Sequence, residues 1–202
     1  MSRETLRFVI TGGPCAGKTT AMERIKQYFE DRDYCVVFIP ETATELICSG
    51  ITPWTMDSKK SYQKHQMMLQ SEKERVYLEA AQHIPKGNKI IALFDRGLMD
   101  NKAYLTDDEY SQILTELSLT EPEILARYDA VFHLVTAAKC KNNAYTLSNN
   151  SARTETPEQA RVLDDRLLEV WKNHQRRCII ENSNDFDEKI NNLIECITAY
   201  LS

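Results

Sequence analysis

Ile10-Thr11-Gly12-Gly13-Pro14-Cys15-Ala16-Gly17-Lys18-Thr19-Thr20 is the most tightly patterned stretch of this chain. Gly12 to Thr19 fits G-x-x-x-x-G-K-[ST], a glycine-rich turn whose successive N–H groups point into one concavity at the positive end of the following helix. Phe8-Val9-Ile10 before it reads as a short buried strand, and Ala21, Met22, Ile25, Tyr28 and Phe29 after it recur on one helical face. Strand, loop and helix thus come in the order that a phosphate loop requires. A glycine turn that merely caps a helix needs none of this context. Gly13, Pro14, Cys15, Ala16, Gly17, Lys18, Thr19 and Thr20 are therefore expected to cradle a nucleoside triphosphate, ATP or GTP. Lys18 would reach the β- and γ-phosphates, and the Thr19 hydroxyl would ligate the accompanying Mg²⁺.

Outward from that loop, four more apolar runs read as strands: Cys35 to Ile39, Ile90 to Phe94, Ala130 to Val135, and Cys178 to Ile180. Each is short and nearly unbroken, the pattern of parallel strands buried on both faces. Ser58 to about Ile84 forms a long helical candidate, with Tyr62, Leu69, Val76, Ala80 and Ile84 on one stripe and Pro85 and Gly87 ending it. Thr156-Pro157-Glu158-Gln159 is a capping box with proline at the first helical position. It opens a helix expected to bury Ala160, Leu163, Leu167, Val170, Trp171 and His174. The last helix, from about Phe186 to Leu201, carries Ile190, Leu193, Ile194, Ile197 and Leu201 on one face. Five strands alternating with helices predict an α/β fold, a parallel sheet wound on both faces.

At 202 residues the chain suits one domain, 1–202, with a full hydrophobic core. No run nears the roughly 20 apolar residues of a membrane span, and Met1-Ser2-Arg3-Glu4-Thr5 has no apolar leader, so the expected setting is cytoplasmic. A net charge of −5 argues against broad nucleic-acid binding. The six cysteines, Cys15, Cys35, Cys48, Cys140, Cys178 and Cys196, show no C-x-x-C and no ligand spacing, and are expected as small core residues of a reducing compartment. Cys15 lies inside the loop beside a helix N-terminus. It is either a permissive position or a thiol through which oxidation gates nucleotide binding. His65, His83, His133 and His174 show no ligand grouping and are expected to be structural or surface residues.

Ligands of open α/β sheets gather beyond the C-terminal ends of the strands. Asp95, directly after Ile90 to Phe94, stands where a carboxylate would hold Mg²⁺ opposite the phosphate loop, and Arg96 could clamp the phosphoryl group in flight. Glu41 follows the second strand, where it would accept the proton of an attacking hydroxyl or, alternatively, stabilise the N-terminus of a helix over Thr42 to Cys48. The polar stretch Lys139 to Glu155 has no period and is too long for a simple connection, which favours a lid. Within it Arg153 is the cation expected to close on the β- and γ-phosphates; Arg161 suits a helix-surface ion pair as well as catalysis, and Lys139 and Lys141 suit solvated loop charges. Gln63, Gln66 and Gln70 recur on a face of the long helix away from its apolar stripe, either solvated or able to read a base edge.

These residues resemble the phosphate-loop kinases of the thymidylate kinase and deoxynucleoside kinase type, including the ribosylnicotinamide kinase domain of the bifunctional NAD-biosynthesis regulator. The phosphate loop, Pro40-Glu41-Thr42-Ala43-Thr44-Glu45, Asp95-Arg96-Gly97-Leu98-Met99-Asp100, Arg153-Thr154-Glu155 and Trp171-Lys172-Asn173-His174 are similar, more closely, to the NadR/TRPL-translocation-defect-like ATPase family. The resemblance spans nearly the whole chain. It implies a five-stranded sheet with the phosphate-loop strand central, an arginine lid, Glu41 as base, and Asp95 and Arg96 at the Mg²⁺ and the reacting end of the acceptor. Deoxynucleoside kinases carry serine where this chain has Gly97. Two activities follow as expectations: transfer of the γ-phosphate to a hydroxyl of a small nucleoside-like acceptor, or a nucleotide-dependent switch read by a protein partner, for which no N-K-x-D guanine motif is present. A homodimer through the long helix is a further expectation from the related kinases.

Overall fold

The computed structural model describes residues 3–140, 156–183 and 185–201. Strands β1 (Thr5–Thr11), β2 (Tyr34–Ile39), β3 (Lys89–Asp95), β4 (Ala130–Leu134) and β5 (Arg177–Ile180) form one sheet, every pair parallel, in the order β2-β3-β1-β4-β5. The strand that feeds the phosphate loop is therefore central. Helix α1 (Lys18–Glu30) follows the loop, and α2 (Thr42–Cys48) and α3 (Lys59–Ala81) join β2 to β3. A 3-10 segment (Leu98–Tyr104), α4 (Asp107–Leu117) and α5 (Glu121–Leu125) join β3 to β4. A 3-10 turn (Ala137–Lys139) and α6 (Pro157–Val170) lead to β5, and α7 (Phe186–Leu201) follows it.

Alternation along the pleat splits the core into two layers. Phe8 and Ile10 of β1 join Ile25 and Phe29 of α1 and Leu193 and Ile197 of α7 on one face. Val9, Phe94 and Val131 join Met67 of α3, Tyr110 of α4 and Trp171 on the other. Burial of each large apolar side chain contributes about 1.5–3 kcal/mol. Both faces are covered, which is why the strands read as unbroken apolar runs rather than as an alternation. Helices α4 and α5 escape an apolar-period reading because they are short, but each has a capping box, Thr106 with Glu109 and Thr120 with Glu123.

The long helix departs from expectation. Tyr62 is buried, yet Val76 and Ile84 are 44% and 37% exposed, and Ala80 is exposed as well. The inward face carries Gln63, Gln66, Gln70, Lys73 and Glu74 around Met67. Helix α3 packs against β2, α4 and the polar Leu98–Tyr104 segment, so the expected stripe turns outward beyond Tyr62, and the glutamines are not a solvated face. Helix α6 buries Ala160 and Leu167, and Trp171 just past its end, as expected; Leu163, Val170 and His174 are only partly buried, and the fully buried Asp164 stands among them.

The cysteines need a second correction. Cys178 of β5 and Cys196 of α7, 18 residues apart, are joined as a disulfide because the last helix runs back along the edge strand. Cys15, Cys35, Cys48 and Cys140 form no disulfide among the described residues, and Cys35 is the buried one. Among the described residues no helix is long and apolar enough to cross a membrane.

Strand register sets the site. Ile10 pairs with Asp95, Ile39 with Phe94 and Thr11 with His133. The phosphate loop, the Asp95-Arg96 step, Pro40-Glu41 and the turn after β4 therefore leave the sheet at one level.

Candidate functional site

The phosphate loop turns through three left-handed residues, Gly12 (φ 140°), Cys15 (φ 57°) and Gly17 (φ 87°). Gly12 admits no side chain, since a Cβ there would lie 2.1 Å from the Leu134 carbonyl oxygen. Cys15 adopts a conformation uncommon for a non-glycine residue, a local cost accepted within an otherwise enforced turn. Lys18 is buried, and its ammonium donates to the Gly12 carbonyl at 3.4 Å.

Two buried ions hold the loop from opposite sides. Asp164 of α6 accepts from the Gly13 N–H at 2.7 Å and the Thr136 N–H at 3.3 Å, and it meets His133 Nε2 at 3.0 Å and Lys139 Nζ at 2.7 Å. Burial pushes its carboxyl up, but these hydrogen bonds and charges win and hold it at about 2. Lys189 of α7 donates to the Ala16 carbonyl at 3.1 Å. The Thr136 hydroxyl donates to the Pro14 carbonyl between them. Of the eight residues expected to cradle phosphate, Gly13 thus gives its N–H to Asp164, and Pro14 has none to give. Their part is to shape the loop; Ala16, Gly17, Lys18, Thr19 and Cys15 line the cleft.

Across the cleft Glu41 precedes α2, and its side chain turns away from the helix end to meet Arg96: Nε to Oε1 is 2.5 Å. The Thr44 hydroxyl donates to Oε2 at 2.8 Å. Burial pushes the Glu41 carboxyl up, yet the Arg96 and Lys18 charges hold it at about 2. Arg96 is itself left-handed, with φ 74°. That bend is fixed at both ends, its N–H donating to the Ile10 carbonyl at 3.1 Å and its carbonyl accepting from Gln70 Nε2 at 3.2 Å. Its guanidinium also reaches the Gly12 carbonyl at 3.4 Å. Asp95 is raised above the usual carboxylate range by burial, with Glu41 and Asp100 adding to that and Lys18 and Arg96 opposing it. Its buried Oδ1 has no hydrogen-bond partner among the described residues.

The cleft encloses about 1050 Å³ and is lined by Lys18, Thr19, Glu41, Asp95, Asn182 and Phe186 among others. The structure thus brings together all the sequence-derived candidates it describes: Lys18, Thr19, Thr20, Glu41, Asp95 and Arg96. Arg153 and all but the first two residues of the expected lid, 139–155, lie outside the described residues. Lys139 is no solvated loop charge: it pairs with Asp164 and Asp165 at 2.7 Å each. Arg161 makes the helix-surface ion pair, 2.6 Å to Glu158, and donates to the Ala138 carbonyl.

Sequence reading missed Asp164, Lys189 and the part of Asp100, and it singled out Gln70 for a base edge rather than for the Arg96 carbonyl that it meets. Asp100 anchors the Arg96 turn from beneath, accepting from the Thr11 hydroxyl at 2.6 Å, the Gly97 N–H at 2.7 Å and Trp171 Nε1 at 3.0 Å. The same contact explains Gly97, where a Cβ would lie 2.6 Å from the Trp171 ring. A usable signal existed for Asp164 and Lys189. Each is a charge on the apolar face of an amphipathic helix, and such charges need a buried partner.

Among solved structures, the chain is similar to thymidylate kinase from Ehrlichia chaffeensis, with a TM-score of 0.61 at 13% identity over 98% of this chain and 100% of that one. At that identity the likeness shows the fold, a five-stranded parallel sheet flanked by helices. No curated protein matches the sequence. The family model described as AAA domain matches residues 7–189, from the strand before the phosphate loop to the lysine that braces it, and the chain belongs to that family.

Proposed function

We propose that the chain is a single-domain phosphotransferase that moves the γ-phosphate of ATP, with Mg²⁺, to a hydroxyl of a small nucleoside-like acceptor, as in the NadR-like branch of phosphate-loop proteins. The observation that carries this reading is the Glu41–Arg96 pair, a partly buried carboxylate and guanidinium facing the phosphate loop beside Asp95. A nucleotide-binding fold alone needs neither.

Thr19 and Asp95 would hold Mg²⁺; the partnerless Oδ1 of Asp95, in the cleft beside Lys18, fits a hard cation that takes most of its other ligands from water and phosphate. When bound, that ion neutralises charge on the β- and γ-phosphates. Lys18 and the N–H groups at the start of α1 bind the polyphosphate, and Arg96 stabilises charge on the phosphoryl group as it moves.

Glu41 at about 2 is a weak base while Arg96 holds it. Burial is the largest influence on its carboxyl and pushes upward. Transfer of the guanidinium from Glu41 to the phosphoryl group would remove the chief opposing charge and strengthen the base as the acceptor arrives. The acceptor side is furnished for a polar molecule. Glu41, Thr44, Glu45 and Asp95 line that part of the cleft, and Asp95 Oδ1 is buried without a hydrogen-bond partner among the described residues. Buried polar atoms are normally satisfied, so an orphan carboxylate oxygen on this wall argues for a ligand or ion that meets it.

The test is turnover of Mg-ATP with a panel of nucleosides, nucleoside monophosphates and related hydroxyl metabolites. A hydroxyl acceptor should be phosphorylated, and Glu41→Gln should lower kcat by ~10²–10⁴. Turnover unaffected by Glu41→Gln removes the base assignment. Tight ATP or GTP binding with no transfer to any acceptor favours a nucleotide switch instead.

A further inference from the structure

Lys189 stands in the first turn of α7, is 4% exposed, and lines the cleft. Its ammonium donates to the Ala16 carbonyl of the phosphate loop at 3.1 Å, the Val135 carbonyl just past β4 at 2.6 Å, and Asn182 Oδ1 at 3.0 Å. These use all three of its donors. Asn182 in turn donates to the Thr136 carbonyl at 2.9 Å, so one lysine ties the loop to the chain just past β4 and β5. All three acceptors are neutral. A buried cation whose hydrogen-bond partners include no carboxylate is costly unless something else supplies the counter-charge.

We propose that Lys189 is a positioning residue of the nucleotide site: it holds Ala16 and Asn182 at the separation a nucleotide needs, and takes its counter-charge from the bound polyphosphate. The proposal rests on the reading of this cleft as a nucleoside triphosphate site. Four charged or titratable groups face Lys189: Lys18 of α1, Cys140 after the 3-10 turn, Asp164 of α6 and Glu181 after β5. Burial lowers the lysine to about 8, Lys18 adds to that, and the other three oppose it. A polyanion in the cleft favours the charged form. Binding therefore takes up part of a proton, more at pH 8 than at pH 7.

The experiment is calorimetry with Mg²⁺ and the β,γ-imido analogue of ATP, in buffers of different ionisation enthalpy, at pH 7 and pH 8. Wild type should show the rise in proton uptake between the two. Lys189→Arg, whose guanidinium stays charged, should bind with that extra uptake gone. Asn182→Ala, which removes one acceptor and no charge, should keep the uptake and weaken binding by about 2- to 10-fold. Binding without uptake at pH 8, or equal uptake in Lys189→Arg, overturns the counter-charge. Unchanged affinity in Asn182→Ala overturns the positioning. Absence of binding by folded wild type overturns the nucleotide reading itself. The wild-type measurement decides even if Lys189→Arg fails to fold.

Discussion

The two sides of the cleft are finished to different degrees. Around the phosphate loop Asp164, Thr136 and Lys189 reach the backbone at Gly13, Pro14 and Ala16. Across from it, Glu41 and Arg96 are held chiefly by each other, and Asp95, which lines the cleft, leaves a buried oxygen without a hydrogen-bond partner among the described residues. The difference teaches that the loop's shape is stored in the protein, whereas the wall at Asp95 keeps an oxygen unsatisfied, as the proposed cation site requires. Preorganisation suits a group that is the same in every turnover. Unsatisfied polar atoms suit recognition, because a ligand that meets them is rewarded and one that does not leaves them stranded.

The comparison breaks most severely at Asp164. Asp164→Ala leaves His133, Lys139 and the Gly13 N–H without their shared anion, and should destabilise the fold by about 3–5 kcal/mol in denaturant unfolding. The carboxyl sits at about 2 in the fold against an ordinary 3.8. Its contribution is thus complete above about pH 4 and is lost as pH falls through about 2, and the variant's unfolding should lack that acid limb. If Asp164→Ala unfolds like wild type, the loop is not held from α6.

On the facing wall, Arg96→Ala should act on transfer rather than on folding. The turnover number should fall by about 10²–10³, with nucleotide affinity nearly kept. Equal losses of ATP affinity and turnover would mean that Arg96 belongs to the donor side.

Glu74 sharpens the contrast from beneath that wall. It accepts from the Tyr128 hydroxyl at 2.8 Å and from Gln70 at 3.1 Å, and burial, against both hydrogen bonds, lifts it from 4.5 to about 7. A raised carboxyl stabilises nothing at high pH: its cost begins above 4.5 and is complete above about 7. Glu74→Gln should therefore gain up to ~3 kcal/mol at pH 8 and nothing at pH 4. A gain independent of pH would trace to packing instead. The smallest effect is expected at Gly97, where serine, the residue of deoxynucleoside kinases, meets the Trp171 ring. Gly97→Ser should cost about 1–3 kcal/mol, and Gly97→Ser with Trp171→Phe should cost less than the sum of the two alone.

Much of the fold was legible because buried parallel strands advertise themselves. Phe8 to Ile10 and Ile90 to Phe94 are apolar on both faces, and the loop motif is local in sequence, so its chemistry needed no distant residue. The capping box at Thr156 to Gln159 located α6 for the same reason. The long helix misled where its partner was polar: Gln63, Gln66 and Gln70 face inward because α3 packs against the polar Leu98–Tyr104 segment, and hydrophobic period alone cannot distinguish a polar interior from solvent.

By itself the sequence determined which end of which strand would hold phosphate, since a strand, a glycine turn and a helix start are consecutive and their N–H groups converge by local geometry. The tertiary structure alone decided what meets them. Gly13 and Asp164 are 151 residues apart, Lys189 and Ala16 are 173 apart, and Arg96 and Glu41 are 55 apart. Only the order and register of the five strands bring such groups within hydrogen-bond reach, and no spacing along the chain encodes a distance set by the whole sheet.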